Sequence, residues 1–385
     1  MRLLKLSISG LPLFSGELEL EFVATQRVSA ENAENMHNVF AKIYQNNVLS
    51  FVGINASGKT SLLKVLIFTM GMLRGNLPIN SLPCREVLEG LAVDQEVVIK
   101  SYFYSKLEKI HCLRTVIRKN KERYFIAEEE LKSKRIARSI TKKAMYDFDN
   151  VQTDIIERDQ SEQYLLDDMS IVVAFNKRSN DPIEFVDMLQ HTDTNHLAIL
   201  SDVPMEMISF FDPSIEYLRI QHKKKGPDIR LKFYDKDEIV VTSIAELNQY
   251  LSSGTIKGIN TFVYAMRTFE TGGYLVVDEL ENHFNKEIVS TLIRFYRDKR
   301  VNPKGAVLIF TTHYAELLDE FERNDNIYIV RNRNGITAQN LADVLKRNDI
   351  KKSEAYESGF LGGTVPVYES YMALKKMLLA QRVED

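Results

Sequence analysis

The strongest constraint on this chain lies at residues 48–63. A short apolar run, Val48–Val52, leads into Gly53-Ile54-Asn55-Ala56-Ser57-Gly58-Lys59-Thr60. Ser61-Leu62-Leu63 then opens a helical pattern. The octet satisfies G-x-x-x-x-G-K-[ST] at every fixed position, in the strand-before, helix-after context that the pattern requires. Two glycines let the backbone curl so that successive N–H groups converge on one point. The helix that follows adds its positive N-terminal end there. Such a turn cradles phosphate, with Gly53, Ile54, Asn55, Ala56, Ser57, Gly58, Lys59, Thr60 and Ser61 as the candidate contacts. Lys59 is placed to reach the β- and γ-phosphates of a nucleotide, and the Thr60 hydroxyl to hold Mg²⁺.

The rest of the sequence has to build a sheet around that turn. Leu4, Leu6 and Ile8 alternate with Lys5, Ser7 and Ser9, and residues 17–22 alternate again, so an antiparallel pair of strands is expected at the N-terminus. From Tyr274 the pattern is strand 274–277, helix 283–297, strand 306–310, helix 315–322 and strand 327–330, the alternation of a mostly parallel sheet covered by helices. The expected fold is therefore α/β with a mixed sheet. Residues 105–143 carry thirteen Lys/Arg against five Asp/Glu, and an acidic stretch follows at 151–170. Runs such as Val97-Val98-Ile99 and Tyr102-Phe103-Tyr104 predict more strands over 96–126, while the sign change predicts a solvated, partly helical insertion. The expected divisions are 1–104 and 215–345 for two parts of one core domain, 105–214 for an insertion or lid, and 346–385 for a C-terminal tail.

Composition sets outer limits. The 385 residues are 44% hydrophobic and 27% charged, with a formal net charge of −3. These values suit a globular domain with a real core and exclude a wholly basic nucleic-acid coat protein. Cys84 and Cys112 cannot form a disulfide framework. The longest apolar stretch, Leu62–Leu73, contains Lys64 and falls short of the ~20 residues that span a bilayer. No membrane partner and a cytoplasmic location are therefore expected.

Three further elements point to the chemistry. Tyr274-Leu275-Val276-Val277-Asp278-Glu279 is an apolar strand ending in two carboxylates. Asp278 is the candidate Mg²⁺ ligand beside Thr60, and Glu279 the candidate base that polarises an attacking water. His313, at the end of the next strand, is placed to hydrogen-bond a γ-phosphate oxygen. Lys59, Glu279 and His313 are thus the expected catalytic residues. Upstream, Leu251-Ser252-Ser253-Gly254-Thr255 opens a helix 26 residues before Asp278. Its Ser252, Ser253 and Gly254 offer a second anion site at a helix N-terminus. A guanine-reading N-K-x-D element is missing: Asn176-Lys177-Arg178-Ser179 lacks the acid.

Together these strings resemble the ABC-class ATPases of the SMC, RecF and overcoming-lysogenization-defect group. The likeness is greatest to the RloA-like "AAA family" proteins of restriction and phage-defence loci. The matching segments are 53–63, 251–255, Val277-Asp278-Glu279-Leu280-Glu281-Asn282-His283 and Thr311-Thr312-His313. At the C-terminus they are Ser353-Glu354-Ala355-Tyr356, Gly359, Gly362 and Val365-Pro366. The resemblance implies a P-loop NTPase with an ABC-type nucleotide-binding domain that uses ATP and Mg²⁺. It implies a head-to-tail homodimer in which each Ser252–Gly254 signature closes over the other copy's nucleotide. It further implies a regulatory subunit that controls a separate nuclease or toxin effector. About 55 residues follow Val330, too few for the Toprim nuclease domain of some relatives. The alternative is a RecF-like repair ATPase that binds nucleic acid through the basic residues of 114–143, among them Arg114, Arg118, Lys132, Lys134, Arg135 and Arg138.

Overall fold

The structure is a computed structural model; it describes all residues except 122, 137–139, 159–164, 190–196, 198–202, 224–225, 283, 348, 365–367 and 381–385. His283, Arg138, Val365 and Pro366, singled out above, fall outside the described residues.

The chain runs through β1 (Arg2–Ser9), β2 (Leu18–Glu21), β3 (His37–Phe40), β4 (Ile43–Gln45), β5 (Val48–Val52) and helix α1 (Lys59–Arg74). There follow β6 (Glu96–Tyr104), β7 (Lys109–Asn120), β8 (Arg123–Arg135), β9 (Asp154–Glu157), α2 (Val172–Ser179), β10 (Phe185–Asp187) and α3 (Met205–Phe211). Next come β11 (Ile215–Lys223), β12 (Gly226–Phe233), β13 (Ile239–Val241), α4 (Ser253–Thr271), β14 (Tyr274–Val277) and α5 (Lys286–Arg297). The last elements are β15 (Val307–Thr312), β16 (Ile327–Asn332), β17 (Ile336–Asn340), α6 (Lys352–Glu357) and α7 (Tyr368–Ala380).

Two six-stranded sheets carry the fold. One is antiparallel, in the order β2-β1-β6-β7-β8-β9; the other has the order β10-β14-β15-β5-β16-β17. In the second sheet all neighbours are parallel except β16 and β17. Period-two alternation divides its side chains between two cores. Leu49, Phe51, Val276, Ile309 and Val330 face α1 and the antiparallel sheet. Val48, Val52, Val277, Leu308 and Phe310 face α4, α5 and the three-stranded sheet of β11–β13. Helix α1 is apolar on nearly every side because it lies between the two sheets. Two buried tyrosines tie the sheets together: Tyr274 and Tyr328 accept hydrogen bonds through their hydroxyls from the Leu3 and Glu21 N–H groups, each at 2.8 Å.

The strands expected over 96–126 are present as β6, β7 and the start of β8. The helical reading of the basic window is corrected: residues 109–135 form the hairpin β7–β8, in register with β6 from Tyr104↔Ile110 onward. The acidic stretch contributes the edge strand β9, paired with β8. Among the described residues, helical structure within 105–214 is confined to short segments such as α2 and α3. The physical reason is cross-strand pairing. Lys and Arg on one strand meet carboxylates on its neighbours, Arg114–Glu128 at 2.9 Å and Arg118–Glu96 at 2.8 Å, and Lys109 of β7 reaches Asp154 of β9 at 2.6 Å. β11 and β12 pair antiparallel, from Ile215↔Phe233 to Lys223↔Gly226.

Candidate functional site

The site follows from strand order. β15 lies between β5 and β14, and all three run parallel. Their carboxyl ends therefore share one sheet edge, with Val52 paired to Thr312 and Val277 to Phe310. Gly53, Asp278, Glu279 and His313 are the residues at or just beyond those ends, where open α/β sheets place their ligands.

The Gly53–Thr60 turn has the curled backbone that the sequence requires. Ala56 has φ +60° and Gly58 has φ +95°. Gly58 caps α1, and a Cβ there would sit 2.6 Å from Ile336 side-chain atoms. A Cβ at Gly53 would sit 2.5 Å from the Val330 carbonyl oxygen. Both glycines are thus fixed by packing as well as by conformation. Lys59 Nζ donates to the carbonyls of Gly53 at 2.8 Å and Ile54 at 3.2 Å. Burial pulls its ammonium below the usual value, while Glu279, Asp278 and Glu281 act in the opposite sense.

The two motifs meet directly. Thr60 Oγ1 donates to Asp278 Oδ2 at 2.7 Å. These two hard oxygen donors, side by side next to the Gly-rich turn, fit the ligand chemistry of Mg²⁺. Among the described residues no three His, Cys, Asp or Glu side chains converge as a metal site of their own. A cation here would be shared with phosphate.

Sequence reasoning missed Thr311 as a site residue. Its hydroxyl is buried, donates to Asp278 Oδ1 and accepts from the Glu279 N–H at 2.7 Å. One side chain on β15 thereby fixes both carboxylate residues on β14. Glu279 has φ +44°, a left-handed conformation that an L-residue adopts at a cost. Its carbonyl is held by the Asn282 N–H at 2.9 Å and by Lys257 Nζ at 3.4 Å. Glu281 was quoted only as part of a matching string. It is buried, and its Oε1 accepts from the His313 backbone N–H at 2.8 Å and meets the ring Nδ1 at 3.1 Å. The signal for both was the hydroxyl and acid spacing inside Thr311-Thr312-His313 and Asp278-Glu279-Leu280-Glu281.

Ser252 caps α4, accepting from the Thr255 N–H at 3.0 Å, with Ser253 and Gly254 as the first residues of the helix. That helix runs to Thr271 and leads into β14. Helix α5 begins at Lys286 with Asn285 as its cap, later than the expected 283. Ser353 is anchored by Asp319, which accepts from its N–H and its hydroxyl. Arg331 holds the Leu361 and Gly362 carbonyls, so the Gly-containing tail packs back on β16.

A phosphate-cradling turn after the central strand of a parallel sheet, with a further strand between it and the acid-bearing strand, defines a P-loop domain of mixed α/β architecture. The chain belongs to the family described as "AAA domain, putative AbiEii toxin, Type IV TA system", whose profile matches residues 48–319, more than half its length. Comparison with functionally curated proteins gives no match. Among the described residues no helix is long and apolar enough to cross a membrane.

Proposed function

We propose that the chain is an ATP-hydrolysing regulatory subunit that works as a head-to-tail homodimer and controls a separate effector in an anti-phage or toxin–antitoxin system. The observation that carries the hydrolytic reading is the Thr60–Asp278 hydrogen bond, which joins the Gly-rich turn to the acid-bearing strand beside Glu279. Thr60 and Asp278 would hold Mg²⁺, which when bound offsets the charge of the phosphates. Backbone N–H groups of 53–61 and Lys59 bind and orient the triphosphate. Glu279 takes the proton of the attacking water, and His313 hydrogen-bonds the γ-phosphate. The contribution of the protein is positioning and electrostatics.

The dimer reading rests on α4. Ser252–Gly254 form a helix N-terminus on an element separate from the Gly53–Thr60 turn, and in the proposed assembly they close over the nucleotide of a second copy. The family description, which names a toxin of a type IV system, supports the defence setting. The repair alternative has less support, because Arg114, Arg118 and Lys132 pair with carboxylates and leave less free charge for phosphate contacts.

Glu279→Gln is the test. ATP binding should persist, turnover should fall at least about a hundredfold, and an ATP-dependent dimer should accumulate in light scattering. Lys59→Ala is the control that loses binding. Unchanged turnover in Glu279→Gln refutes the base assignment, and a specific activity independent of protein concentration down to the monomer refutes the shared site.

A further inference from the structure

We infer that Glu281 is the positioning residue of His313: it takes the Nδ1 side of the ring and leaves Nε2 as the nitrogen turned to the nucleotide. The inference deepens the proposed function and rests on its assignment of His313.

The geometry is specific. Glu281 Oε1 accepts from the His313 backbone N–H at 2.8 Å and lies 3.1 Å from the ring Nδ1 of the same residue. This double contact fixes both the position of the residue at the end of β15 and the rotation of its ring. Glu281 itself is buried and anchored through its backbone. Glu281 is 3% exposed, and its own carbonyl accepts from the Phe284 N–H at 3.0 Å. The His313 side chain, by contrast, is 38% exposed, and the Tyr314 ring stands perpendicular to it at 5.2 Å. The ring is thus gripped on its buried side and open on the other.

The chemistry follows from the acceptor. A carboxylate has no proton to give, so the hydrogen between Glu281 and His313 belongs to Nδ1. In the neutral ring the second nitrogen then carries a lone pair. Nε2 donates to a phosphate oxygen only when the ring holds both protons. A carboxylate three residues past Asp278 therefore decides which nitrogen faces the γ-phosphate and what it offers. Oε2 of Glu281 is buried without a hydrogen-bond partner among the described residues.

The test reads the ring directly. Long-range ¹⁵N–¹H correlation spectra of the full chain, with the His313 signal assigned through His313→Gln, should show the Nδ1–H form in the wild type at alkaline pH. Glu281→Leu should lose that form. Glu281→Gln, which keeps an acceptor oxygen, should retain it. In turnover, Glu281→Leu should reduce kcat about tenfold to a hundredfold, the usual cost of losing a group that orients another. Combined with His313→Ala it should add nothing further. An Nε2–H form in the wild type, or an Nδ1–H form unchanged in Glu281→Leu, overturns the inference. If His313→Ala leaves turnover intact, the sensor role fails while the spectra still decide the positioning.

Discussion

Replacing Thr311 by Val tests whether the two carboxylate residues of β14 are held by β15. Val matches Thr in shape, so the substitution removes the hydroxyl and little else. Two hydrogen bonds go with it, one donated to Asp278 Oδ1 and one accepted from the Glu279 N–H. A bond to a charged group contributes about 1.5–3 kcal/mol, and a neutral one about 1 kcal/mol. Against this, Glu279 at φ +44° is free to relax once its N–H is released, which offsets about 1–2 kcal/mol. The net loss should be about 2 kcal/mol. Urea unfolding should show a lower midpoint with an unchanged slope. Thr311→Ser, which keeps the hydroxyl, should recover most of the loss. In the ATPase assay Thr311→Val should lose turnover while ATP affinity changes little, because the Gly53–Thr60 turn is untouched. A Val variant within about 0.5 kcal/mol of wild type, the range of neutral surface substitutions, refutes the argument that this hydroxyl fixes the site.

Two further substitutions probe the turn and the antiparallel sheet. Gly58→Ala places a methyl group against Ile336 at a φ of +95°, so it should weaken nucleotide binding and lower stability by about 1–3 kcal/mol. Adding Ile336→Ala should relieve the contact but not the backbone strain, and full recovery in the double variant refutes the conformational part. His111 lies between the Ser105 and Ser133 hydroxyls at 2.8 and 2.7 Å, and burial, then Lys109, holds its pKa at about 4. The unfolded chain takes up that proton near pH 6.5 and the folded chain only near 4. The stabilisation is therefore complete above pH 6.5 and is lost as pH falls through about 4, at most ~3 kcal/mol. His111→Asn should flatten the stability profile between pH 6.5 and 4; an unchanged slope in urea titrations refutes the assignment.

The parallel half of the fold was legible because its signals are local. Val48–Val52, Tyr274–Val277 and the run ending in Phe310 are short apolar strands closed by residues of unmistakable chemistry, and a parallel sheet buries both faces of each. The charge pairing of the basic hairpin was illegible for the opposite reason. In β7 and β8 the charged positions gain their meaning from a partner strand: Arg118 reads as one more cation in a run until Glu96, 22 residues earlier, is found opposite it. No window of one strand contains that pairing. The site divides along the same line. The candidate ligand-contacting residues Lys59, Thr60, Asp278 and Glu279 belong to motifs with fixed spacing, which a linear sequence displays. Residues that hold those residues, Thr311 and Glu281, act across strands on partners 32 or 33 positions away. Their constraint is the order β14-β15-β5, which puts the hydroxyl of one strand end against the acids of the next, and strand order is the property that a linear pattern encodes least.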